Sequence, residues 1–536
     1  MAKSNRVKLE DFCKPSEQLT SIDPQDLMPL PPPYDKIEEQ PGWKGIDKDR
    51  RAQLGGTLDD TIAVGLPRPK TKEEEERLVE AFISGLKKLL TRENNWTFLQ
   101  PLILTLEHCA KCQTCVDACP IYEASGKNDI YRPTFRAEIL RSLVKKYVRK
   151  SGGLLHDWSH KNIDLNYDTL SRLLELCYRC TLCRRCTQVC PIGVDNGLVT
   201  RELRKIFSQE LGIAPRELHE NGTVKQMNVG SSTGMNVVAV KDNVEFIDDE
   251  MSEKTGMKIK TPWDVEGADV LLLHNAGEFL AWPENPGAFA ILLEAAGISW
   301  TLSSEPMVYD SVSYGLFYDD AQFARIALAQ MKAAKKLGVK TIVLGECGHA
   351  HKALTIIADR ILGKDMQIPR VSALPFLEEI VFSGKIKFDP SKNDFPVTLH
   401  DPCNITRAMG IVEPQRRILR QLAPKFREME PHGVNNYCCG GGSGLAIMSQ
   451  HNFEDWRLSV SGRMKLKQIL EAFSDCPEPE TKKYVCAPCS NCKGQIRDLL
   501  RYYGVWEKSG IHYGGLVELI VNAMTDIKEP FLEWPE

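Results

Sequence analysis

The chain has 536 residues, enough for three or four domains at roughly 150 residues each. Its 68 basic and 72 acidic side chains leave a net charge of −4, which excludes the basic footprint of a general nucleic-acid binder, so no nucleic-acid partner is expected. Hydrophobic residues are 42% and charged residues 26%, and no apolar run approaches the roughly 18 residues of a membrane span, so a globular protein with no span of its own is expected.

Residues 1–70 read as an extended arm, with polyproline geometry over Pro29–Tyr34. A disordered tail and a strap around a neighbouring subunit are both open readings of it. The first residues lack an apolar stretch of the signal-peptide kind, so a reducing compartment is expected, where clustered cysteines are metal ligands or redox groups rather than disulfides. Residues 71–214 read as a helical domain. Thr71 and Glu74 have capping-box spacing and open a helix whose apolar face includes Leu78, Phe82, Leu86 and Leu89. A second helix is predicted over 134–150, with Phe135, Ile139, Leu140 and Leu143 as its stripe. Residues 215–262, rich in Gly, Ser, Thr and Asn, read as a connector.

From Val270 onward, short apolar strands alternate with helices, which predicts α/β layers. Strands are expected at 270–274, 341–345, 397–400 and 483–486, and helices at 287–296, 321–337 and 417–422. A degenerate repeat runs through this part, with halves at 263–390 and 391–536. VLLLHNAG ending at Gly277 aligns with FPVTLHDPC ending at Cys403. Ser313–Gly315 aligns with Cys438–Gly440. GECGHAHKAL from Gly345 aligns with APCSNCKGQI from Ala487, placing Cys347 on Cys489 and Ala350 on Cys492. The expected fold class is an α+β multidomain protein: a mostly helical two-cluster ferredoxin-like domain followed by a duplicated α/β domain.

The 18 cysteines carry the chemistry. Cys109, Cys112, Cys115 and Cys119-Pro120 have spacing x2, x2, x3, and Cys180, Cys183, Cys186 and Cys190-Pro191 repeat it, the two-cluster bacterial ferredoxin signature. Two-residue gaps let one loop wrap three thiolates around a cubane, while the fourth cysteine turns into a helix and serves the other cluster. Cys109, Cys112, Cys115 and Cys190 are therefore expected on one cubane 4Fe–4S cluster, and Cys180, Cys183, Cys186 and Cys119 on a second. A tetrahedral zinc site, the competing reading, wants two separated cysteine pairs. The third set is Cys403, Cys438-Cys439 and Cys489-x2-Cys492. Adjacent cysteines suit a cluster of several irons better than one small ion. Gly440, Gly441, Gly442 and Gly444 allow positive φ and a close backbone approach to a cluster or substrate. His274, His400, His349 and His351 lie in equivalent loops. His400 and His349 are candidates for proton delivery, against the plainer reading of satisfied structural histidines. Cys13, Cys177, Cys476 and Cys486 are expected non-ligands, although Cys486 has the spacing to substitute for Cys492.

This order of motifs resembles the heterodisulfide-reductase-type Cys-Cys-Gly iron–sulfur proteins, over roughly residues 70–530. The resemblance implies a noncubane 4Fe–4S cluster held by Cys403, Cys438, Cys439, Cys489 and Cys492, where a disulfide-type bond is cleaved or formed. Gly277, Ser313, Tyr314 and Ala350 replace the ligands in the first half, so one such cluster is expected rather than two. It also implies the partners of complexes of the DsrMKJOP kind in dissimilatory sulfur metabolism: a haem b membrane subunit of the DsrM type, a small sulfur carrier of the DsrC type, and further complex subunits. A cytoplasmic, peripherally membrane-associated location through a partner follows from it. Two other classes stay open: an electron-transfer subunit serving a flavin dehydrogenase for glycolate or glycerol phosphate, and a non-enzymatic scaffold. A simple dithiol at Cys489 and Cys492 is the sober alternative for the chemistry.

Overall fold

A computed structural model of the chain describes residues 8–14, 22, 24–39, 65–95, 97–149, 163–449 and 453–534. The rest of the arm and Lys150, the far end of the predicted second helix, lie outside the described residues. The chain forms two compact units. The first comprises 1–218, 317–320 and 440–467, and the second comprises 219–316, 321–439 and 468–536.

The first unit is helical. Its long helices are Lys72–Leu89, Leu99–His108, Pro133–Leu143, Tyr167–Tyr178 and Asn196–Leu211. Thr71 caps the first by accepting the Glu74 backbone N–H, but Glu74 returns its carboxylate to the Lys70 N–H, so the box is displaced by one residue. Phe82 packs on Phe207 at 5.2 Å, and a Cβ on Gly85 would meet Ile206 at 2.6 Å, so this helix pair needs glycine to close. The predicted second helix holds α-geometry to Leu143 and then widens to π-turns over Val144–Arg149. The described arm stretches pack on their own chain. Phe12 meets Phe135 edge-on at 5.7 Å, Leu30 and Tyr34 are buried, and the Met28 N–H donates to Ala124. Those described stretches are therefore packed rather than loose.

Two later segments complete this unit. Trp456, fully buried, donates from Nε1 to the Tyr131 hydroxyl at 3.3 Å, and Arg179 lies over the Phe453 ring at 3.8 Å. Asp320 enters the side of helix Asn196–Leu211, where Arg201 and Lys205 both pair with it. Burial opposes the charge, but Arg201 and Lys205 hold the Asp320 carboxyl down to about 2. A carboxyl whose folded pKa is depressed adds stability above its unfolded value, and that stability is lost as pH falls through the folded one. Asp320→Asn should therefore lower unfolding stability at neutral pH by about 3 kcal/mol, because Arg201 is left buried with less compensation. The difference from wild type should vanish toward pH 2 in acid titrations of the folded chain.

The second unit carries two four-stranded parallel sheets of the same topology. The first has strand order β2-β1-β3-β4, from β1 Val270–Leu273, β2 Trp300–Thr301, β3 Thr341–Leu344 and β4 Arg370–Ser372. The second has order β6-β5-β7-β8, from β5 Val397–Leu399, β6 Phe426–Arg427, β7 Lys483–Cys486 and β8 Ile511–Gly514. Parallel strands joined through helices bury both faces, which explains the unbroken apolar run of β1. Equivalent loops repeat to the hydrogen bond: Cys347 N–H donates to Gly345 O at 2.7 Å, and Cys489 N–H to Ala487 O at 2.6 Å. The α+β multidomain class expected from the sequence is what the two units show. The segment read as a connector is corrected. It contains helix Val237–Thr255, capped by Asn236 and ended by Gly256 at φ 74°, with Val240, Val244, Ile247 and Met251 buried at helical spacing.

Candidate iron–sulfur sites

In the first unit, the two cysteine loops share one backbone conformation. Lys111 and Gln113 take φ of 54° and 65° between Cys109 and Cys115, and Leu182 and Arg184 take 52° and 61° between Cys180 and Cys186. These are the same positions in each loop. Left-handed non-glycine residues cost of order 1 kcal/mol each and persist where the surroundings demand them. Cys119, Cys180, Cys183 and Cys186 line a single cavity together with Arg136, Arg179 and Gly197. Burial pushes Cys119 up to about 12, and its nearest thiol neighbours electrostatically are Cys183 and Cys180. Cys115 is likewise pushed up to about 12, by burial and then by Cys109, with Cys190 and Cys112 contributing. Each group thus contains the fourth cysteine of the other motif. Thiols crowded in this way are a donor set that metal binding relieves, and four sulfurs in each group fit a 4Fe–4S cluster. One local expectation is corrected: Cys119 does cap helix Pro120–Ala124, but Cys190-Pro191 opens a turn. The next helix waits for Asp195, whose carboxylate accepts the Leu198 N–H. Cys177 is fully buried, and Arg204 binds its carbonyl.

In the second unit, the third set gathers at the C-terminal ends of β5 and β7. His400, Cys439 and Cys492, all buried, have ligand atoms within 4.8 Å of one another. Cys439 is held well below the usual thiol range by hydrogen bonds from Cys438 and then Cys492, with His400 adding to it, while Cys492 is driven well above by its bonds to Cys439 and Cys489. Cys489 is lowered by Cys492 and also by the Gly348 N–H, which donates to its sulfur at 3.3 Å. Cys438, Cys439, Cys489 and Cys492 therefore form one connected set of sulfurs. Cys403 is half-buried and starts helix Cys403–Met409, directly after β5. Cys486 sits inside β7 in register with Leu399, so the helix residue Cys492, not Cys486, reaches Cys439. Asp401 anchors the loop after β5: Arg416 binds it through two nitrogens at 2.7 and 2.6 Å, and the Gly433 N–H donates to it at 2.6 Å.

The four loop histidines separate into two kinds. His351 bonds Ser372 Oγ and Cys347 O, and His274 packs edge-on against Phe279 and Phe289. His400 reaches Cys439. Burial drives the His349 imidazole down to about 4, so at neutral pH it stands near Cys439 uncharged. Two of the glycines, Gly440 and Gly442, approach their own chain. Gly440 has φ 96° and meets the Gly462 backbone, and a Cβ on Gly442 would lie 2.5 Å from Thr181 O. Their close approaches are to the chain itself. This glycine segment, continuous with Cys439, belongs to the first unit, where Ser443 Oγ donates to Cys180 O at 2.8 Å and Arg204 binds both. Sequence reasoning missed Arg204, Arg416 and Asp401: the two arginines lie among other charged residues, and nothing local marks them as buried.

Residues 105–194 match the family described as the 4Fe-4S dicluster domain, and residues 397–497 match the Cysteine-rich domain. These spans hold all eight ferredoxin-type cysteines and all five of the third set. The chain is an iron–sulfur protein with a two-cluster domain ahead of a cysteine-rich one. It is similar, at 28% identity over 86% of each chain, to the Hdr-like menaquinol oxidoreductase iron-sulfur subunit 2 of Archaeoglobus fulgidus. An Archaeoglobus profundus relative, an Hdr-like menaquinol oxidoreductase iron-sulfur subunit, is 26% identical over 80% of this chain and 81% of its own length. A component of the dihydromethanophenazine:CoB–CoM heterodisulfide reductase of Methanosarcina acetivorans is 26% identical over 74% of this chain and 89% of its own. The chain thus resembles heterodisulfide reductase-like oxidoreductases through most of its length. Among the described residues, no helix is long and apolar enough to cross a membrane.

Proposed function

We propose that the chain is a DsrK-type subunit: it takes electrons through two cubane 4Fe–4S clusters and uses them at a noncubane 4Fe–4S cluster to cleave, or in reverse form, a disulfide or trisulfide on a DsrC-type sulfur carrier. The observation that carries the reading is the buried set of sulfurs from Cys438, Cys439, Cys489 and Cys492 with His400, built in the half of the repeat that kept its cysteines. Those residues and Cys403 would hold the third cluster, which when bound supplies electrons one at a time to a sulfur substrate. The chain's own part is to orient and desolvate. Arg416, Asp401 and Gly433 fix the loop that carries His400 and Cys403, and His400 supports charge on Cys439. Within the first unit, Arg204 and Ser443 hold the Cys180 loop, since both bind the Cys180 carbonyl.

On this reading a haem b membrane subunit of the DsrM type delivers the electrons, other complex subunits complete the assembly, and the chain sits peripherally on the cytoplasmic face. The relatives' names, which speak of menaquinol and of a heterodisulfide, are in keeping with a membrane donor and a disulfide-type acceptor. Anaerobic isolation from native membranes tests it. About twelve irons per chain, a copurifying haem b subunit and turnover of the carrier's disulfide are the expected result. About eight irons and a copurifying flavin dehydrogenase would replace this reading with electron transfer for that enzyme.

A further inference from the structure

Where the two halves of the second unit meet, a buried group of charged side chains stands outside every role described so far. Glu278, Glu346 and Lys493 are 0% exposed and Glu518 is 6% exposed. One oxygen of Glu346 accepts the backbone N–H groups of Leu516 and Val517 at 2.9 and 3.0 Å, and the other accepts Asn285 Nδ2 at 3.1 Å. The same Asn285 nitrogen donates to Glu518 at 3.1 Å. Lys493 lies 3.5 Å from Glu518 and 3.6 Å from Glu278, with no hydrogen bond to either, and one Glu278 oxygen is also unpartnered. Three carboxyl groups therefore share one ammonium in the interior, where they cannot all be ionised cheaply.

The group has an outer and an inner end. At the outer end, Glu284 is exposed and lies in the field of Glu518, Lys493 and the surface residue Glu250. At the inner end, Glu278 accepts the Asn275 N–H at 3.3 Å. The Asn275 side chain donates to Ser490 Oγ at 3.2 Å and reaches Cys347 Sγ at 3.8 Å. The Ser490 N–H donates to the Glu346 carbonyl at 2.7 Å. Ser490 follows Cys489 directly.

We propose that Glu284, Glu518, Glu346 and Glu278, gathered round the fixed ammonium of Lys493, form a proton relay between solvent and the Ser490–Cys489 wall of the Cys-Cys-Gly site. The proposal rests on the disulfide reading above and deepens it. Cleaving one disulfide consumes two electrons and two protons and yields two thiols. The electrons come through the cubane clusters and the protons come from solvent through this group, and bond formation returns both. The groups facing Glu346 are Glu278, Glu518, Lys493, Tyr484 and Cys486, with Cys347 next in the chain. Burial raises the Glu346 carboxyl to about 8 against the pull of Lys493, so it is the member that keeps a proton at neutral pH. Burial opposes ionisation of Glu518 as well, but Lys493 and the Gly515 N–H hold its pKa below the usual range. The relay then runs dry as pH rises through about 8.

The test uses the intact complex with reduced viologen as electron source and an oxidised two-cysteine peptide as substrate. Glu346→Gln should keep the full iron content and cluster spectra, lose at least about tenfold in turnover, and lose the alkaline fall of rate that the wild type shows. Glu284→Gln, at the exposed mouth and safe for folding, should slow turnover and enlarge the solvent isotope effect. Wild-type rates and pH profiles in both variants would overturn the relay, and if Glu346→Gln fails to assemble, Glu284→Gln decides alone. If the wild type carries three clusters but turns over no disulfide, the functional reading fails by itself. The relay is then judged by proton uptake on chemical reduction, which must differ between wild type and Glu346→Gln for it to stand.

Discussion

In Cys439→Ala, iron is expected to fall from about twelve to about eight atoms per chain, and disulfide turnover to background, while both cubane signals persist. Cys439 is the sulfur on which Cys438, Cys492 and His400 converge, so its loss leaves no centre around which the remaining ligands close. The outcome separates a cluster from a dithiol. A dithiol enzyme would need only Cys489 and Cys492, with Cys489 already capping helix Ser490–Tyr502 and lowered in pKa. Turnover that survives in Cys439→Ala and stops only in Cys489→Ala or Cys492→Ala would establish the dithiol. Iron analysis alongside the rate keeps the two readings apart.

The second large effect is one of crossed identity. Cys190→Ala should strip the cluster of Cys109, Cys112 and Cys115 and spare that of Cys180, Cys183 and Cys186, although Cys190 is only four residues beyond Cys186. Cys119→Ala should do the reverse. The electrostatic neighbours of Cys115 include Cys190, and the cavity of the Cys180 loop includes Cys119. The two clusters have unlike surroundings: Cys112 is exposed, whereas the other group has buried Arg136 beside it. Their magnetic spectra should therefore be distinguishable, and each variant should lose about four irons and one of the two signals. Loss of the same signal from both variants would refute the exchange.

Much of this architecture was legible because the signals were local. Strands β1, β3, β5 and β7 are apolar runs at the centre of each sheet, and Lys483–Cys486 matches its expected bounds. The edge strands β2 and β6 are two residues long and carry no run to read. Helix Val237–Thr255 was hidden by the glycine and serine cluster just ahead of it, although its own stripe is regular. The cysteine groupings were readable because spacing encodes loop geometry. The destination of the glycine segment was not: Gly440 and Gly442 advertise a close approach, but which atoms approach depends on Thr181 and Gly462, far away in sequence. The buried carboxylates were equally invisible as a group. Glu346 and Glu518 each stand out as a charge in an apolar stretch and Lys493 does not, and nothing local says that the three meet.

The return of Gly440–Lys467 to the first unit has a consequence for biogenesis. Trp456, Ser443 and the buried Arg463, which binds the arm at Met28 and Glu38, are among the last parts of that unit to leave the ribosome. A nascent chain with all eight ferredoxin-type cysteines already exposed still lacks the residues that wall the Cys180 loop. Completion of the helical unit thus waits for Gly440–Lys467, about 250 residues of synthesis beyond Cys190. The path of the backbone thus sets when the walls of the Cys180 loop can be completed.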